Sequence, residues 1–286
     1  MSQLLDYPTA AWECLSRLEQ ARPPALRQYD QISMRGADLL AQAFDLSPQL
    51  AGQDVLFLGD YDGMAALLVL LEQANLLVAP KTLTLLDFDE RVLAYHQRLT
   101  SSVTDPKRFQ TYSYNVLEPI PNELQSRFDV FYTNPPYGAS NRGASVLLFL
   151  TRGLEAVKPN AVGYLLYPPI QSRPWVSDAL ENLNNALNDV GWTIKQQATK
   201  FRLYHLDDDP ELPSVTYILS SSRDSKQCLP WTGCFLTDQD IPFFYGQNTL
   251  SPYPARIPDS RWWNDSTNTY AHTPYKPHLD FPSQSR

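Results

Sequence analysis

Two turns and two strand ends carry the chemistry legible in this chain. The run Thr133-Asn134-Pro135-Pro136-Tyr137-Gly138 follows Phe128-Asp129-Val130-Phe131-Tyr132, whose apolar density predicts a buried strand. Pro135 and Pro136 have no N–H to give to a sheet, so the chain must leave the ladder there with free carbonyl oxygens. An amide, free carbonyls and an aromatic ring at a strand's carboxyl end suit an amine. The Asn134 side-chain oxygen and the Pro135 carbonyl can accept its hydrogens, while Tyr137 lies against a planar group or a developing cation. No strong base is required, because the attacking nitrogen can lose its proton after the new bond forms. A chance Asn-Pro-Pro-Tyr in a chain with 24 prolines is the bland reading; its position directly after a strand weighs against it.

Gly59-Asp60-Tyr61-Asp62-Gly63 lies between a first strand and its helix, where an open α/β sheet closes over a nucleotide or nucleoside. It contains no G-x-G-x-x-G. Two carboxylates beside a helix N-terminus repel a pyrophosphate and attract a cationic amine or sulfonium, which disfavours NAD and ATP. The bland reading of Asp60 and Asp62 is a helix cap. Asp87 ends the second strand, the usual place for a carboxylate that accepts ribose hydroxyls; Asp89 and Glu90 are expected in the first turn of the next helix. Asn115 is expected at the end of the third strand, where it could bond an adenine edge or serve as a turn residue. The candidate catalytic set is thus Asn134, Pro135, Tyr137 and Asp62, and the candidate donor-binding set is Gly59, Asp60, Asp87 and Asn115.

The elements that must position these groups alternate. Val55-Leu56-Phe57-Leu58, Leu83-Thr84-Leu85-Leu86-Asp87, Tyr112-Ser113-Tyr114-Asn115-Val116, residues 128–133 and residues 161–166 read as five strands. Helical patterns over 64–74, 90–99, 144–157 and 175–190 follow four of them. Residues 193–201 and 215–220, joined without a crossover helix, should pair as an antiparallel edge hairpin. The result is an α/β chain with a mostly parallel Rossmann-like sheet. We divide it into a helical lead-in (1–50, with helices over 7–20 and 33–44), a Rossmann-like catalytic domain (51–222) and a Pro/aromatic-rich arm (223–286). The arm's aromatics argue against simple disorder and fit packing on the domain or on a second subunit, with a base-stacking platform as an alternative use. Arg27-Gln28-Tyr29-Asp30-Gln31 reads as a surface linker or a lip over the site. Tyr167-Pro168-Pro169 reads as a plain loop or a second wall, and the acidic run from His205 to Glu211 as a solvated turn or a seat for distal ammonium groups.

Composition narrows the classes. Hydrophobic residues make up 43% and charged residues 19%, as in ordinary soluble domains. No apolar run approaches the roughly 18 residues of a membrane span, and Asp6 interrupts the N-terminus without a signal pattern. Three cysteines with no CxxC argue against a disulfide framework or a metal site, so a reduced, cytoplasmic protein without metal is expected. The acidic loop lacks the EF-hand glycine and spacing. A net charge of −8 weakens nucleic acid as a default partner and is compatible with a polycation.

Leu58-Gly59-Asp60-Tyr61-Asp62-Gly63, Leu86-Asp87-Phe88-Asp89-Glu90-Arg91 and Phe128-Asp129-Val130 running into a Pro-Pro turn resemble the branched-chain polyamine synthases, over roughly residues 27–165. The resemblance implies a class I methyltransferase-like fold. It also implies transfer of aminopropyl groups from decarboxylated S-adenosylmethionine to the internal nitrogen of spermidine, giving tertiary or quaternary branched products. Two turns depart from that family's pattern: Tyr61 replaces the middle acid of Gly-Asp-Asp-Asp, and Asn134 and Tyr137 replace the acids of Asp-Pro-Pro-Glu. Asn134-Pro135-Pro136-Tyr137 is similar instead to the signature of amino-group methyltransferases, which use S-adenosylmethionine on adenine, cytosine or an amide. Two classes therefore compete, aminopropyl transfer to a small-molecule polyamine and methyl transfer to a planar amine such as a nucleobase. A non-catalytic relative that only binds stands behind them.

Overall fold

The computed structural model describes residues 7–26, 29–103, 105–196, 200–205, 210–221, 228–236 and 244. Among the described residues, six α-helices and seven strands build one sheet with helices on both faces. Helices α1 (Thr9–Ala21) and α2 (Gly36–Leu50) precede β1 (Asp54–Leu58). Then come α3 (Met64–Gln73), β2 (Thr82–Asp87), α4 (Glu90–Leu99), β3 (Phe109–Ser113), β4 (Phe128–Thr133), α5 (Ala144–Ala156), β5 (Val157–Tyr167), α6 (Pro174–Asp189), β6 (Trp192–Gln196) and β7 (Val215–Ser221). The strand order is β3-β2-β1-β4-β5-β7-β6. Every pairing is parallel except those of β7, which runs antiparallel to both β5 and β6. The expected hairpin therefore forms the end of the sheet, with β7 inserted beside β5.

Period-two alternation assigns each strand residue to a face. Val55 and Phe57 join a core with α1 to α4, whereas Leu56 and Leu58 join one with α5, α6 and residues 229–236. The lead-in helices are thus one of the layers that cover the sheet. The segment expected to begin a separate arm docks in part on the domain: Leu236 N donates to Leu117 O at 2.8 Å. The fully buried Arg152 guanidinium donates to Val116 O, Glu155 Oε1, Trp231 O and Cys234 O. Most of the remaining arm, like residues 206–209 of the acidic run, lies outside the described residues. Among the described residues no helix is long and apolar enough to cross a membrane.

Four elements depart by three or more residues from the expected bounds, among them β5, which begins at Val157 rather than at Ala161. β3 lies three residues earlier than expected, because pairing with β2 runs from Leu83↔Phe109 to Asp87↔Ser113 and then stops. Tyr114 N donates to Asp87 O, and the chain turns with the Asn115 side chain accepting from Leu117 N. Tyr112 and Ser113 thus close β3, while Tyr114 and Val116 line the cleft. Helix α2 continues through Pro48 to Leu50, since the buried Leu46 and Leu50 outweigh one missing N–H bond, while Ser33 to Arg35 are extended. β6 ends at Gln196, short of the expected residue 201.

Candidate active site

Register brings the chemistry together. Leu58 pairs with both Leu86 and Thr133, so β1, β2 and β4 end level with one another. Gly59, Asp87 and Asn134 then stand side by side at the carboxyl ends, where the sheet order reverses direction between β1 and β4. Above them opens a cleft of about 480 Å³. Its floor contains Gly59, Asp60, Asp62, Asp87, Asn134, Pro135 and Tyr137, and the expected lip supplies Tyr29, Asp30 and Gln31.

Asp60 is chiefly a cap. Its carboxylate accepts from Gly63 N at 3.2 Å, Met64 N at 2.9 Å and Ala65 N at 2.7 Å, closing the N-terminus of α3. Gly63 is required there: its φ is +88°, and a Cβ would stand 2.6 Å from Leu18 and 2.8 Å from the Tyr95 hydroxyl. Asp87 accepts from Asp89 N at 2.9 Å and Asp60 N at 3.1 Å, which ties the two donor-side turns together. Asp62 joins three segments. It accepts from Met34 N at 2.8 Å and from Asn134 Nδ2 at 3.1 Å, with the Arg22 guanidinium 3.9 Å away. Burial raises the pKa of Asp60 and Asp62 to about 6 and that of Asp87 to about 7, against the lowering effect of the backbone N–H bonds. His96, buried beneath Asp60, is pushed down to about 4 by desolvation and stays neutral.

At the acceptor turn the Asn134 carbonyl oxygen accepts from the Tyr204 hydroxyl at 3.3 Å, and Ser214 Oγ lies 2.8 Å behind that hydroxyl. Burial raises the Tyr137 hydroxyl pKa, and hydrogen bonds to Tyr204 and Ser214 oppose the rise. Tyr167 sits behind the wall rather than on it, donating to Tyr137 O at 2.9 Å with its ring edge-on 5.5 Å away.

Asn115 is not among the residues that line the cleft; its neighbours Tyr114 and Val116 are. Its side chain is used within the turn, which corrects its expected place at a strand end. Sequence reasoning missed Phe88, Tyr114, Tyr132, Phe149, Trp175, Tyr204 and Phe244 as walls. Tyr204 arrives through an isolated bridge with Met34, and no motif announces it. Asp30, Asp60, Asp62 and Asp87 are the charged residues of the described lining, which holds no lysine or arginine. Such a cleft favours cations.

Comparison with known proteins agrees with this architecture. The profile of the family described as Branched-chain polyamine synthase A C-terminal domain matches residues 11–235. The chain is 22% identical over 236 residues to N(4)-bis(aminopropyl)spermidine synthase of Methanocaldococcus jannaschii, covering 75% of this chain and 63% of that protein. It spans between about a third and two thirds of the length of the curated relatives it matches. The Thermus thermophilus branched-chain polyamine synthase, solved with N4-aminopropylspermidine and 5′-methylthioadenosine, superposes with a TM-score of 0.63 at 20% identity, covering 79% of this chain and 66% of that one. A putative RNA methyltransferase of Pyrococcus horikoshii gives 0.54 at 17% identity, covering 76% and 100%. The fold is class I methyltransferase-like.

Proposed function

The chain belongs to the Branched-chain polyamine synthase A C-terminal domain family, and from that premise we propose that it transfers an aminopropyl group from decarboxylated S-adenosylmethionine to an amine nitrogen of a polyamine. The observation that carries the reading is the cleft's charge: four carboxylates, with no lysine or arginine among the described lining residues. The donor's sulfonium and its terminal ammonium are welcome there. The carboxylate of ordinary S-adenosylmethionine would instead meet carboxylates with no lysine or arginine among the described lining residues, each repulsion on the order of 3 kcal/mol at 5 Å and an effective dielectric of 20.

In this reading Asp87 accepts the ribose hydroxyls and Phe88, Tyr114 and Val116 flank the base. Asn115 shapes the turn that presents the last two. Gly59, at φ +67°, lets the nucleoside approach the backbone closely. Asp60 and Asp62 set the potential around the sulfonium. The acceptor enters beside Asn134, Pro135 and Tyr137. Its lone pair attacks the carbon next to sulfur, the N–C bond forms, and the C–S bonding pair leaves on sulfur to give neutral 5′-methylthioadenosine. Positive charge passes from sulfur to nitrogen, where aromatic faces and Asp62 stabilise it. The proton then goes to water. Residues 9–236 serve as one catalytic unit, because the lead-in and the segment 228–236 both pack on the sheet that carries the site.

The test is incubation with the decarboxylated donor and spermidine, following methylthioadenosine release and product mass. Asn134→Ala should lower turnover by about two orders of magnitude while donor affinity holds within a few fold. Transfer of the methyl group of S-adenosylmethionine to DNA, with spermidine left unmodified, would overturn the reading.

A further inference from the structure

We propose that this chain makes a single addition, accepting only a nitrogen that carries a hydrogen and releasing a tertiary amine rather than carrying it on to a quaternary ammonium ion. The inference rests on the aminopropyl-transfer reading above.

Its basis is the fixed orientation of the Asn134 amide. The amide nitrogen donates to Asp62 Oδ2 at 3.1 Å, and the other Asp62 oxygen is taken by Met34 N at 2.8 Å. A reversed amide would press its carbonyl oxygen against the buried carboxylate. Electrostatics therefore holds the NH2 group toward Asp62 and the carbonyl oxygen away from it. From the other side Tyr204 gives its hydroxyl hydrogen to that oxygen, with Ser214 Oγ in contact with the Tyr204 oxygen. An amide oxygen has two lone pairs. Tyr204 engages one, and among the described residues the second is left for the cleft, which Asn134 lines.

A neutral acceptor in that place is satisfied only by a donor. A secondary amine gives its N–H to Asn134, which aims the nitrogen lone pair at the sulfonium carbon. As the N–C bond forms and the C–S pair leaves on sulfur, that hydrogen becomes an ammonium hydrogen and the bond strengthens. A tertiary amine has no hydrogen to give. Its alkyl groups would cover the amide oxygen and leave it unpaired, and nothing would aim its lone pair. A carboxylate at the same position would attract developing positive charge strongly with or without an N–H; the amide dipole does so only weakly and depends on the hydrogen bond. Tyr204 acts here as a positioning residue, through Asn134.

The experiment uses the full chain with excess decarboxylated donor and, separately, spermidine or the tertiary amine N4-aminopropylspermidine, read by mass spectrometry. One adduct should accumulate with spermidine, and turnover of the tertiary amine should be at least about 100-fold slower, the cost of one lost transition-state hydrogen bond. Tyr204→Phe should lower kcat on spermidine about tenfold with KM for the donor unchanged. Turnover of the tertiary amine within tenfold of spermidine overturns the inference and leaves the aminopropyl reading standing. Consumption of neither amine overturns that reading. The inference is then decided by calorimetry in the presence of 5′-methylthioadenosine: at least tenfold tighter binding of the secondary amine supports it, and equal affinity ends it.

Discussion

Acidification should weaken binding of the sulfonium donor far more than binding of the neutral thioether nucleoside. Asp60 and Asp62 have pKa values raised to about 6 by burial, and Asp87 to about 7. A cation about 5 Å from a carboxylate contributes on the order of 3 kcal/mol at an effective dielectric of 20, which draws a pKa down by about two units. The sign follows from linkage. These groups are ionised in the complex and partly protonated in the free protein, so affinity is complete above about pH 7 and falls as the pH drops through 6. Between pH 7.5 and 5.5, one group moving from about 6 to about 4 weakens binding roughly fourfold, and Asp60 and Asp62 together roughly 15-fold. Asp87, which the proposed function sets against the ribose common to both nucleosides, should shift both affinities alike. The assay is calorimetry of each ligand at both pH values in two buffers of different ionisation enthalpy, which counts protons released. Equal pH slopes for the two nucleosides, or no proton release with the sulfonium, would refute the reasoning.

Three further outcomes follow from particular contacts. Arg152→Met removes four hydrogen bonds and leaves the Glu155 carboxylate with the N–H groups of Ile120 and Gly233 but without its ion-pair partner; it should cost about 3–5 kcal/mol in urea denaturation, and a loss under 1 kcal/mol would contradict the account. Gly163→Ala drives a Cβ into the Phe131 ring in the core, so it should destabilise by about 1–3 kcal/mol with the donor-binding pH profile unchanged. Asp60→Ala leaves three N–H groups of α3 uncapped and should cost about 1–2 kcal/mol; unchanged stability would show that the carboxylate serves only ligands.

Where apolar periodicity was strong, the sequence was enough to place an element. Phe128–Thr133 and Glu90–Leu99 lie at their expected bounds, and the ends of β1, β2 and β4 carry the floor of the cleft. Seven of the eight candidate site residues therefore converge. Asn115 does not, because β3 is half-buried along its length and its register is set by β2 rather than by its own pattern. The aromatic walls were illegible for a different reason. Tyr204, Trp175 and Phe149 come from separate elements, and a tyrosine that hydrogen-bonds an asparagine 70 positions away leaves no local spacing to read. Asp60 shows the opposite difficulty: a helix cap and an acidic ligand site are written with the same residue.

The bridge between Met34 and Tyr204 has a consequence for folding order. It joins the two flanks of the catalytic unit, with Arg35 N donating to Leu203 O and His205 N to Ser33 O, and it holds the backbone N–H that grips Asp62 beside the hydroxyl that grips Asn134. Contacts of such sequence separation form late, after loop closure has been met by the rest of the core. A chain that has built its sheet but not this bridge would have a cleft floor without an aligned acceptor group. On the proposed function, nucleoside binding can then precede, and amine recognition must await, completion of the fold, so the acceptor amine would be the ligand that reports the native state.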